Sequence, residues 1–148
     1  ASAVLESELV PSLVDLVSVQ WEAGNDAQVA LCVCAFANLA DVGCSRHLVD
    51  TGAFELCVNL LQAEDASVQL YAAAAVQNVL SDPDVSEEVA VADYVHRVGA
   101  VGSLQPLLTQ ESEIVRQVAQ GALANIEASR GWEALGALVR IQAFARGF

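Results

Sequence analysis

The chain has 148 residues, of which 55% are hydrophobic and only 5% aromatic, and it carries a formal net charge of −13. Its longest unbroken apolar run, residues 29–37, falls far short of the roughly eighteen a membrane span needs. An acidic surface repels phosphate backbones and anionic lipid, so nucleic acid is disfavoured and a basic protein partner is favoured.

A chain of this size buries roughly 70% of its unfolded surface, enough for a core. Its dominant Ala and Val suit helices that approach closely. The charge is uneven: residues 1–100 hold fifteen Asp and Glu against Arg46 and Arg97, whereas the last 48 residues are neutral, and there is no Lys. The first ten residues lack the basic start and apolar centre of a secretory signal. With no Met, the chain is expected to be a processed product or an excised piece.

Residues 7–18, SELVPSLVDLVS, place Leu9, Val10, Leu13, Leu16 and Val17 at helical spacing and predict a helix with Pro11 in its first turn. Gly24-Asn25-Asp26 predicts a turn with an N-cap, followed by a helix over 27–40. Residues 41–45 connect to a short helix at 46–50, ended by Thr51-Gly52, and a further helix is predicted over 53–62. The acidic turn 64–67 then caps the stretch 68–79, VQLYAAAAVQNV, whose Val68, Ala72, Ala75, Val76 and Val79 share one helical face. Asp82 and Pro83 supply an N-cap and a first helical position, and one long helix is predicted over 84–97. Gly99-Ala100-Val101 repeats Gly52-Ala53-Phe54. Pro106 falls inside the helix that follows, where it is expected to produce a kink.

The stretch 68–79 has two copies. Cys32, Ala35, Phe36, Asn38 and Leu39 precede it by 40 residues, and Ala119, Ala122, Leu123, Asn125 and Ile126 follow it by 47. A period of this length means stacked helical repeats. Each copy carries an Asn at the same station: Asn38, Asn78 and Asn125.

No residue set supports catalysis. His47 and His96, the only histidines, are in no metal-binding or triad-like spacing, and no phosphate-binding, nucleophile-elbow or dinucleotide glycine pattern occurs. Asp82, Asp84, Ser86 and Glu88 alternate like calcium ligands, but Glu87 and Asp93 occupy the places of the Gly and Glu such a loop needs. Cys32, Cys34, Cys44 and Cys57 include no CxxC pair, and Cys32 and Cys34 would point about 200° apart on a helix. They read as buried thiols in a reducing, intracellular, most simply cytoplasmic setting. No enzyme, cofactor or metal is expected.

The combined unit, a short helix, Gly-Ala, an LVxLL-like helix, an acidic turn and VQxxAxxALxNL, resembles the armadillo repeat. The match runs over 8–17, 52–61 and 99–108 for the first part, with Glu8-Leu9 in place of Gly-Ala, and over 28–39, 68–79 and 115–126 for the second. The resemblance implies an all-α fold, a right-handed α-solenoid of stacked three-helix repeats, in a single domain. Its units would be about 8–41, 45–81 and 84–128, with a partial one over 129–148. It further implies that Asn38, Asn78 and Asn125 line a concave groove and hydrogen-bond the backbone of an extended peptide, with Tyr71 as an aromatic neighbour. A primary amide both donates and accepts, so it can hold a peptide bond regardless of side chain. The alternative is that these Asn residues cap or bridge neighbouring repeats. Importin-alpha members carry Trp one turn before this Asn; Cys34, Ala74 and Gly121 stand there instead, so the resemblance does not extend to that pocket.

Residues 141–147, IQAFARG, resemble the first half of an IQ motif, which would present Ile141 and Phe144 as anchors, with Gln142 and Arg146, to a calmodulin-like EF-hand protein. The same residues fit the core positions of a partial fourth repeat. A third reading is a structural subunit of a larger assembly.

Overall fold

The computed structural model describes residues 2–128, with the side chains of 8–88 and 90–128, and every regular element among them is helical. The first helix, α1 (Ser2–Glu22), outruns the predicted segment at both ends. In the two later units Gly52 and Gly99 adopt φ +84° and +76°, left-handed backbone that breaks the chain before a new helix. Glu8 and Leu9 stand at the equivalent place in the first unit and supply no such break, so α1 continues through it. Pro11 therefore lies inside α1 instead of in its first turn, removing one bond to the preceding turn.

The turn at Gly24 leads into α2 (Asp26–Asp41). Asn25 is its N-cap residue, yet its side chain makes no cap bond; the amide Nδ2 instead donates to Gln20 Oε1 at 2.6 Å. The middle unit follows as α3 (Ser45–Asp50), α4 (Ala53–Leu60) and α5 (Ala66–Leu80). Asp65 caps α5, its carboxylate accepting from the backbone N–H groups of Ser67 and Val68 at 3.0 Å each.

The long helix expected over 84–97 is two helices, α6 (Pro83–Ser86) and α7 (Val89–Arg97). Glu88 between them is extended, with φ −91° and ψ 128°. Val85, Val91 and Ala92 are all buried; positions 85 and 91 lie about 120° apart on one continuous helix, so the break lets both reach the core. Glu88 also pairs with Arg46 of α3 at 2.7 Å. Pro106 acts similarly. The expected kink is a change of helix type, from α8 (Ala100–Leu104) to a 3-10 segment (Gln105–Thr109) that carries the proline in its first turn. The last described helix is α9 (Glu113–Ala128), anchored where Arg116 Nη1 donates to the carbonyls of Gln110 and Glu111 at 2.5 and 2.9 Å.

Helices α2, α5 and α9 stack in series, with α1 beside α2 and α4 beside α5. The seams are built from small residues, including Ala72, Ala73, Ala75, Ala119 and Ala122, filled by the buried rings of Phe36 and Phe54. At Gly121 a Cβ would meet the amide tip of the Gln77 side chain, which occupies the space beside the glycine. No buried side-chain polar atom among the described residues lacks a hydrogen-bond partner. The partial fourth unit 129–148, and with it Ile141, Gln142, Phe144 and Arg146, lies outside the described residues.

Candidate functional site

The stacking of α2, α5 and α9 brings Asn38, Asn78 and Asn125 to the same station on three successive helices. Two of them do the same thing. Asn78 Nδ2 donates to the carbonyl of Ala37 at 3.0 Å, and Asn125 Nδ2 donates to the carbonyl of Gln77 at 3.4 Å. In each case the acceptor lies one residue before the Asn of the preceding helix. Both amides thus bridge neighbouring layers, and both are half-buried.

Asn38 differs because no described helix precedes α2 in the stack. It is exposed, and its Nδ2 reaches only Cys34 Sγ of its own helix, at 3.9 Å. Tyr71 lies two turns before Asn78 on the same side of α5 and is half-buried against the core. Position 121, where importin-alpha members would carry Trp, is closed by the Gln77 side chain.

One feature had no clear sequence signal. A cleft of about 350 Å³ opens where the turn after α4 meets the 3-10 segment, lined by Gln62, Glu64, Gln69, Pro106 and Gln110. Gln62 and Gln69 donate their amide N–H groups to the carbonyls of Ser103 and Leu61 at 3.3 and 3.0 Å. Their side-chain oxygens and the Glu64 carboxylate are acceptors on the lining residues, which also include the apolar Ala63 and Leu107.

The thiols are not a reactive set. None of the four cysteines forms a disulfide; Cys32, Cys44 and Cys57 are buried and Cys34 half-buried. Burial pushes the Cys32 thiol upward and the Cys57 thiol up to about 12. The described residues contain no cluster suited to a metal ion and no helix long and apolar enough to cross a membrane.

Stacked helical layers joined by a repeated interlayer amide describe an armadillo-type α-solenoid. The sequence matches the Armadillo/beta-catenin-like repeat family over residues 41–81, which span α3, α4 and α5. Among solved structures the chain is similar to two engineered proteins, each 31% identical with a TM-score of 0.70 over 86% of this chain, and it covers 29% and 49% of their lengths. A designed armadillo repeat protein is 24% identical with a TM-score of 0.69 over 84% of this chain, which covers 50% of it. The chain thus spans half or less of the length of these structures. A search of curated proteins returns no match. Residues 41–81 are an armadillo repeat, and the chain has the armadillo fold.

Proposed function

We propose that the chain is a non-enzymatic interaction module that binds an extended, basic protein segment along the side of the stack where α2, α5 and α9 present their Asn stations. Its units are residues 8–41, 45–81 and 84–128. The observation that carries this reading is the repeated Asn geometry. Because Nδ2 of Asn78 and Asn125 is held by the preceding layer, each Oδ1 is held in place as an acceptor for a backbone N–H of the ligand. Pre-positioned acceptors at regular spacing suit an extended backbone, with half-buried Tyr71, two turns before Asn78, as the aromatic candidate beside them. The net charge of −13 favours Lys- and Arg-bearing segments and steers their approach. Four cysteines without a disulfide among them fit an intracellular, reducing setting.

The test is the double variant Asn78→Ala, Asn125→Ala titrated with an arrayed set of extended Lys- and Arg-containing peptides. Affinity is expected to fall by about 1–3 kcal/mol as backbone bonds are lost. Circular dichroism at the titration temperature checks that the stack survives loss of the two bridges. Unchanged affinity in a folded double variant would refute the groove reading.

A further inference from the structure

The cleft between the turn after α4 and the 3-10 segment follows from Pro106. In the middle layer the second helix stays α-helical from Ala53 to Leu60. In the third layer Pro106, which stands where the middle layer has Asn59, turns the same stretch into a 3-10 run over Gln105–Thr109. With fewer residues per turn that wall is narrower, and the space it gives up is the cleft of about 350 Å³, at the small end of the range for ligand sites. The lining is divided by chemistry. Ala63 and Leu107, both buried, and Pro106 form an apolar side; Gln62, Glu64, Gln69 and Gln110 form a polar one. Two of the amides are held on the protein's own backbone: Gln62 Nε2 donates to the carbonyl of Ser103, across the seam between layers, and Gln69 Nε2 to the carbonyl of Leu61. The surrounding charge is acidic. Residues 61–69 and 103–113, which contain both walls, hold Glu64, Asp65, Glu111 and Glu113 and no basic residue. Arg116, the next cation along the chain, donates its guanidinium N–H groups to the carbonyls of Gln110 and Glu111, and Asp65 is turned onto the start of α5, where it offsets the positive end of that helix.

We infer that this cleft is a docking site for an arginine side chain of a protein partner, its aliphatic stem laid on Ala63, Pro106 and Leu107 and its guanidinium turned to the Glu64 carboxylate and the amide oxygens of Gln62 and Gln69. An apolar stem ending in a flat cation with several donors matches a lining of that kind, whereas a lysine brings the charge without the fork. Gln62, Glu64 and Pro106 are exposed, so the mouth opens to solvent and a peptide backbone can pass over it. A free amino acid would bring its own carboxylate to the acidic turns. The site is separate from the Asn stations: Gln69 precedes Asn78 by nine residues on α5, about 13 Å along the helix, so docking here does not depend on the groove.

The test is an NMR titration of the full chain with acetyl-Gly-Arg-Gly-amide, following the side-chain amide resonances of Gln62, Gln69 and Gln110, with those of Asn78 and Asn125 as internal controls. Saturable shifts confined to the three glutamines are expected, with a Kd on the order of 1 mM for so small a contact. The corresponding lysine peptide, the uncharged citrulline peptide and free L-arginine should each bind about threefold or more weaker, and Glu64→Gln should weaken the arginine peptide to a similar degree. Glu111→Gln, at an exposed acid outside the lining, should change its affinity by less than about twofold. Free L-arginine binding as tightly as the peptide would reassign the cleft to a small guanidinium compound and overturn the partner assignment. Equal binding of the lysine or citrulline peptide, equal losses from the two Glu substitutions, shifts at the Asn amides in place of the glutamines, or no saturation below about 20 mM would each overturn the inference.

Discussion

The middle and first layers are built on one pattern, and they differ in how many faces are covered. In the middle layer α4 and α5 have neighbours on both sides: Leu60, Leu61, Ala72 and Val76 are buried and Asn78 closes a bond to the layer before it. In the first layer the inner side is equally well packed, with Val10, Val17, Val33 and Phe36 fully buried, while the outer side keeps leucines and an Asn at the same stations. Cohesion in this fold is therefore a property of seams between layers and not of single helices. A residue's contribution depends on its layer more than on its identity.

That contrast can be broken at matched positions. The largest difference is expected at the paired leucines: Leu60→Ala should cost about 2–5 kcal/mol because it opens a cavity in a sealed seam, while Leu16→Ala should cost well under about 1 kcal/mol. Denaturant titration of the two variants measures both. The Asn stations should follow with a graded series. Asn78→Ala, losing a 3.0 Å bond, is expected to cost about 1–2 kcal/mol, Asn125→Ala somewhat less, and Asn38→Ala close to nothing. Equal losses at all three would erase the distinction between covered and bare layers. Helix starts give a smaller step: Asp65→Ala should cost about 1 kcal/mol through two lost cap bonds. Asn25→Ala, with no cap bond to lose, should cost less.

The last contrast is silent at neutral pH. The buried Cys57 thiol has its pKa pushed from the ordinary 9.0 up to about 12. The folded chain keeps that proton where the unfolded chain loses it. Stability is thus unaffected below about pH 9 and declines as pH rises from there towards about 12. Cys57→Ala should flatten this part of the pH profile relative to the native chain, and a thiol reagent at neutral pH should modify half-buried Cys34 well before Cys57.

Much of the stack was legible in the sequence because the α2, α5 and α9 helices repeat small residues and an Asn at fixed offsets, and because Asp65 and Asp82 carry cap chemistry that the structure uses. What escaped depended on contacts between units. The length of α1 follows from the loss of a left-handed glycine at Glu8, a local cue that the repeat register concealed by assigning Pro11 to a first turn. The break between α6 and α7 reflects the need to bury both Val85 and Val91 and the pairing of Glu88 with Arg46 across the chain. The direction of the Asn amides was likewise invisible, since a bridging amide and a ligand-binding amide are the same residue. Only the carbonyls of Ala37 and Gln77 reveal that one end of the group is already engaged.

The break between α6 and α7 also bears on engineering. The Asn bridge spans 41 residues from Ala37 to Asn78 and 48 from Gln77 to Asn125, yet it closes in the same way. The extra chain is absorbed around Glu87 and Glu88, both exposed. Position 87 is accordingly a natural insertion point for a reporter tag or a fluorophore-bearing loop, where added sequence would hang from the periphery and leave the stacked seams in register.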